Sequence, residues 1–172
     1  FTYVIYVSFI VTTLVKERHF SEGTAGGFWF WVGFLSLFSG PVFGALSDRL
    51  GRRIGLATVF ALHCCAYLLV GLPLPDLTLY VSIALFGLAA WSVPSIIAAG
   101  VGDYVGPANA VATLGTLTFI FGLGQIAGPG LAGMLAEATQ SFASSYLMAA
   151  ALAGLAVVLS LLLTQPRPRP VT

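Results

Sequence analysis

Long apolar runs alternate with short polar interruptions along the whole chain. Crossing the ~30 Å hydrocarbon layer of a bilayer takes about 20 helical residues. Six runs meet or approach that length: residues 1–15, 26–46, 54–72, 77–101, 110–135 and 142–163. The first would reach only about 22 Å at ~1.5 Å per residue, as expected of a helix that starts partway along its span. Helices are expected throughout, because in lipid each segment must satisfy its own backbone hydrogen bonds. A β-barrel would instead show alternating segments of about ten residues.

The polar interruptions are short. They fall at residues 16–22, 47–53, 73–76, 102–109 and 137–141, and residues 165–172 form a tail rich in proline and arginine that cannot continue a helix. Arg49, Arg52, Arg53, Arg167 and Arg169 lie to one side of the membrane by this count, and Lys16 and Arg18 to the other. The excess of cations places the 49–53 turn and the tail in the cytoplasm, with both termini there as well.

The second and fifth runs resemble each other. One carries Gly40-Pro41-Val-Phe-Gly44, the other Gly128-Pro129-Gly-Leu-Ala-Gly133. Each is the middle helix of a triplet, and the triplets run in opposite directions. The fold class expected is therefore an all-α membrane protein, six transmembrane helices built as a three-plus-three inverted repeat in one domain over residues 1–172. Pairs of glycines four apart, such as Gly40 with Gly44 and Gly124 with Gly128, allow close helix packing. Pro129 supplies a point where the fifth helix can bend.

Composition narrows the function. The chain is 58% hydrophobic and 8% charged, with a net charge of +1, so nucleic acid is excluded as a partner and the lipid bilayer is required. Cys64 and Cys65 are adjacent on a helix and diverge by about 100°, which argues against a disulfide between them. Asp48, Asp76 and Asp103 stand alone in separate turns, so no metal site, cofactor or enzyme activity is indicated. A channel would need a polar filter, and the runs contain none.

Of the chain's seven basic and six acidic residues, four sit between positions 48 and 53. The segment Gly44-Ala-Leu-Ser-Asp48-Arg49-Leu-Gly51-Arg52-Arg53 resembles the signature loop of the major facilitator superfamily, which joins the second and third helices of a six-helix half. The stretch Gly124 to Gly133 is similar to a Gly-Pro motif in the fifth helix of many members. The resemblance implies one half of a twelve-helix secondary transporter in the plasma or inner membrane, with the C-terminal half favoured. It also implies a second six-helix half as partner, a small organic solute as substrate and a proton as candidate coupling ion. A free-standing six-helix accessory protein that dimerises is the alternative.

Under that resemblance Asp48 would meet helix N-termini of the opposite half, and Arg49 or Arg52 would pair with Asp103 as a latch. Gly44 and Gly51 would permit close approach and a tight turn. The family's cavity lies between the first and fourth helices, which here offer Tyr3, Tyr6, Thr12, Thr13, Trp91, Ser92 and Ser95. His63 and Gln125 are further candidates for the path, since a polar group inside the membrane is a functional candidate. Trp29 and Trp31 read as an interfacial aromatic belt.

Overall fold

The computed structural model describes residues 1–164; the arginine-bearing tail expected to be cytoplasmic lies outside the described residues. Seven helices follow in order: α1 (Thr2–Lys16), α2 (Glu22–Leu50), α3 (Arg52–Gly71), α4 (Leu77–Ala89), α5 (Ser92–Val105), α6 (Pro107–Thr139) and α7 (Ala143–Leu162). Five spans are long and apolar enough to cross a membrane, with α4 and α5 in series forming one of them, and α1 is a shorter apolar helix.

The helices outrun the apolar stretches that announce them. α2 begins at Glu22 because the Ser21 hydroxyl accepts the Thr24 N–H at 3.1 Å, capping an end that also carries Glu22 in its first turn. It then continues through Pro41 as far as Leu50. Only Gly51 stops it, at φ 92° and ψ 152°, a backbone region that residues with a Cβ avoid. α3 starts at the next residue. The α5–α6 turn at Gly106 uses the same device at φ 80° and ψ 164°.

The fourth span departs from expectation. A single helix over 77–101 is expected, and two pieces are found, broken at Ala90–Trp91. Pro94 has no N–H, so the Ala90 carbonyl loses its usual helical donor. Trp91 takes φ −103° and ψ 8°, and its N–H turns to the Ser39 hydroxyl of α2 at 3.1 Å.

The core lies among α1, α3, α4 and α7, around the fully buried rings of Tyr6, Tyr67, Phe86 and Tyr146. Tyr6 stacks on Phe86 at 3.9 Å between ring centres. Lipid chains give apolar helices no reason to prefer one another, so packing and interhelical hydrogen bonds must hold the bundle. The Tyr6 and Ser82 hydroxyls are 2.9 Å apart, and Ser82 donates onward to the Ala66 carbonyl at 2.8 Å. The Tyr146 and Thr13 hydroxyls are 3.2 Å apart, and Ser145 donates to the Ala132 carbonyl at 2.7 Å. Close approach supplies the rest. A Cβ on Gly55 of α3 would stand 2.6 Å from the Ser47 Cβ of α2. One on Gly128 of α6 would stand 2.8 Å from the Phe1 carbonyl oxygen, so α1 rests on the bare backbone of α6. Otherwise α6 buries little, with Val111, Phe119, Ile126 and Met134 all turned outward.

Candidate functional site: an ionic clasp and an apolar cleft

At one end of the bundle, Arg52 gathers the signature segment. It is the first residue of α3, placed there by the Gly51 turn. Its Nε donates to Asp103 Oδ2 at 2.9 Å, and one terminal nitrogen donates to Asp48 Oδ1 at 2.5 Å and to the Ser47 hydroxyl at 3.2 Å. Three helices therefore meet on one guanidinium: Asp48 ends α2, Arg52 opens α3 and Asp103 lies in the last turn of α5. The aliphatic stem of Arg52 runs over Gly100, where an added Cβ would sit 3.5 Å from Arg52 Cδ. The Arg52 side chain is 17% exposed, whereas Asp48 and Asp103 are 63% and 46% exposed. A polar hollow of about 410 Å³ opens beside them, lined also by Arg49 and Tyr104.

Of the two pairings expected with Asp103, the structure contains the one through Arg52. Arg49 and Arg53 are exposed and make no ion pair among the described residues. Asp48 finds its partner within the chain, four residues before Arg52 and across the Gly51 turn. Gly44 faces Ser95, 3.9 Å from where a Cβ would stand, so both sit at the α2–α5 contact.

Deeper in the bundle an apolar cleft of about 400 Å³ lies between the start of α1, α3, α5 and α6. Tyr3, His63 and Trp91 come together on its wall, joined by Phe60, Pro94, Ile97 and Phe121. Tyr3 stacks near Phe86 and Trp91, at 5.5 and 5.8 Å between ring centres. His63 is 4% exposed, stacked 5.9 Å from Tyr67, and its Nε2 has no partner among the described residues. Trp91 is 53% exposed.

Other expected path residues are placed elsewhere. Tyr6 shares Phe86 with Tyr3 but lies one turn further into the core, fully buried and bonded to Ser82. Ser95 points at Gly40 and Gly44 of α2. Gln125 is on α6 outside the cleft wall, with its side-chain oxygen buried and unpartnered. α6 stays helical through Pro129, and Gly133 has open space where a Cβ would be.

Two functional-looking features escaped sequence reasoning. Ser39 accepts the Trp91 N–H and, through its own carbonyl, the Ser92 hydroxyl at 3.0 Å. At the opposite end of the bundle, Glu17 accepts the Phe142 N–H at 2.7 Å, and Arg18 donates to the Leu74 and Leu72 carbonyls at 3.0 and 3.2 Å. The available signals were a lone serine two residues before Pro41 and an acid–base pair in a short turn, both common patterns.

A stack of apolar spans fastened at one end by a charged three-helix clasp defines a multi-pass membrane protein. The Major Facilitator Superfamily matches the chain over residues 1–172, and the chain belongs to that family. It is also similar to Multidrug resistance protein 1 of Bacillus subtilis (strain 168), 29% identical over 163 residues, covering 94% of this chain and 41% of that protein. The chain thus spans about two fifths of the length of the relative it matches. No solved structure matches it.

Proposed function

We propose that this chain forms one six-helix half of a secondary transporter that moves a small, largely apolar organic solute by alternating access. The observation that carries this reading is the convergence of Tyr3, His63 and Trp91, from three separate spans, on one apolar cleft. A cleft walled mostly by apolar and aromatic side chains, with no Asp, Glu, Lys or Arg in its lining, suits an aromatic solute, whose face the rings can hold, better than a sugar or an organic acid, whose many hydroxyls or carboxylates would go unpaired. The resemblance to a multidrug resistance protein agrees with that preference.

In this reading the Arg52 clasp faces the cytoplasm, where its cations favour the inner side, and closes that side of the cleft in one state of the cycle. The second half of the transporter covers the outward faces of α2 and α6. The Gly-Pro pairs in α2 and α6 mark equivalent helices of an inverted repeat. Proton coupling is a second reading, favoured by the unpartnered Nε2 of His63, which sits in a span without Asp or Glu.

The test is counterflow in liposomes holding the full-length protein, with the aromatic dye ethidium, radiolabelled outside the vesicles, as probe and glucose and citrate as polar controls. Vesicles preloaded with unlabelled dye should take up external dye faster than empty ones, and Trp91→Ala should slow the exchange. Exchange no faster than in protein-free vesicles, or faster for glucose or citrate than for the dye, would refute the reading.

A further inference from the structure

Two prolines weaken facing helices at nearly the same level. Pro41 leaves the Leu37 carbonyl of α2 without its helical donor, and Pro94 does the same to Ala90 at the α4–α5 break. Between them lies Ser39, fully buried, which takes up the two donors at the start of α5. Its hydroxyl accepts the Trp91 N–H, and its carbonyl accepts the Ser92 hydroxyl, also fully buried. The Ser39 hydroxyl in turn donates to the Ser36 carbonyl at 2.8 Å, so its lone pairs are aimed at Trp91.

The pieces on either side of the break are seated differently. α4 is wedged against α2, where a Cβ on Gly87 would meet Val32 Cα and Leu35 Cβ at 3.1 Å. α5 touches α2 more loosely: Ser95 Oγ is 3.6 Å from a Cβ built on Gly40 and 3.9 Å from one on Gly44, ordinary contact distances. α5 is also the piece that carries Asp103 near its far end, about 18 Å from Trp91 at ~1.5 Å per residue. Along its length Val93, Pro94 and Ile97 form cleft wall.

We infer that α5 is a lever hinged at Ala90–Trp91, and that Ser39 is the positioning residue that fixes its hinge end. Besides its apolar packing, the lever then has two polar attachments: hydrogen bonds to Ser39 in the membrane interior, and the ion pair to Arg52 at the water interface. Opening the ion pair alone leaves α5 tethered at its root, so the far end swings while Trp91 holds its place beside Tyr3. Releasing Ser39 frees the root, and the cleft wall moves as a unit. The inference rests on the transporter reading only for its purpose; the mobility of α5 is measurable without any transported solute.

The experiment is cysteine labelling of the full-length protein in native membranes, after Cys64 and Cys65 are both replaced by Ala. One reporter, Ile97→Cys, lies on α5 in the cleft wall, and a second, Leu88→Cys, lies on α4. N-ethylmaleimide is the probe. In Ser39→Ala the labelling rate at position 97 should rise about fivefold, the population change that loss of one interhelical hydrogen bond allows, with position 88 unchanged. Ser39→Thr, which keeps the hydroxyl, should label at the wild-type rate. If Ser39→Ala does not accumulate, Ser92→Ala removes the other bond and carries the same expectation. Equal rates at position 97 with and without the hydroxyl would overturn the inference, as would an equal rise at both reporters, which indicates general loosening.

Discussion

Replacing Arg52 by Gln tests the clasp most directly. The change keeps a side chain able to donate to one carboxylate but removes the charge that binds two. Both acidic partners are about half exposed, so each pair is screened and is worth about 0.2–1 kcal/mol rather than its in-vacuum value. Together they hold the ends of α2, α3 and α5 with about 1 kcal/mol, and 1.4 kcal/mol corresponds to a tenfold change in an equilibrium. The ratio of separated to joined arrangements should therefore rise about fivefold in Arg52→Gln. Spin labels at Leu50 and Tyr104, both exposed and flanking the clasp on α2 and α5, would report it as growth of a longer distance in a pulsed dipolar measurement. Raising the salt to 1 M shrinks the screening length to about 3 Å and should push the wild type towards the variant, while leaving the variant itself unmoved. An identical distance distribution in wild type and variant, or a wild type indifferent to salt, would show that the clasp does not hold these helices together.

Three further outcomes are expected. Gly55→Ala drives a Cβ into Ser47, an overpacking that costs about 1–3 kcal/mol, so the detergent-solubilised protein should melt several degrees lower; an unchanged melting temperature would mean α2 and α3 can part freely. His63→Phe removes an unpartnered buried nitrogen, so stability should hold or improve while ethidium counterflow weakens several-fold; unaltered counterflow would make His63 a core residue only. Glu17→Ala strips the acceptor from the Phe142 N–H at the start of α7, and that amide should exchange with solvent roughly 5- to 30-fold faster, matching a lost cap of about 1–2 kcal/mol; unchanged exchange would place the protection elsewhere.

Hydropathy located the spans because lipid enforces continuous apolar runs, but it located the lipid-facing lengths and not the helices. Glu22–Ala25 and Ser47–Leu50 are helical since a serine cap and a glycine stop set the ends of α2, and neither is visible in an average over side chains. The break at Ala90–Trp91 went unread for the same reason. Pro94 weakens the helix there, but a proline alone does not break a membrane span; the backbone hydrogen bond redirected to a serine some fifty residues earlier holds the break, inside a run whose hydrophobicity never falters. The clasp was the most legible part of the site, as charges beside a membrane have few places to go and Asp103 lies at the same level as Arg52. The cleft was legible only in part. Tyr3 and Tyr6 do share a helix face and even a neighbour, Phe86, but spacing along one helix cannot say which of them meets Ser82 and is thereby buried.

The two ends of the bundle are sewn with different thread. Arg18 reaches backbone carbonyls of Leu72 and Leu74 besides the Asp76 carboxylate 3.8 Å away, and Glu17 a backbone amide, so most of their stitches depend on dipoles fixed in the chain. Arg52 depends on two side-chain carboxylates open to solvent. Ions and protons in the surrounding water can compete for the second kind far more readily than for the first. A molecule built this way has one stiffer margin and one that answers more readily to the composition of its bath, so an equal change in salt on the two sides of the membrane would be felt more at the Arg52 margin.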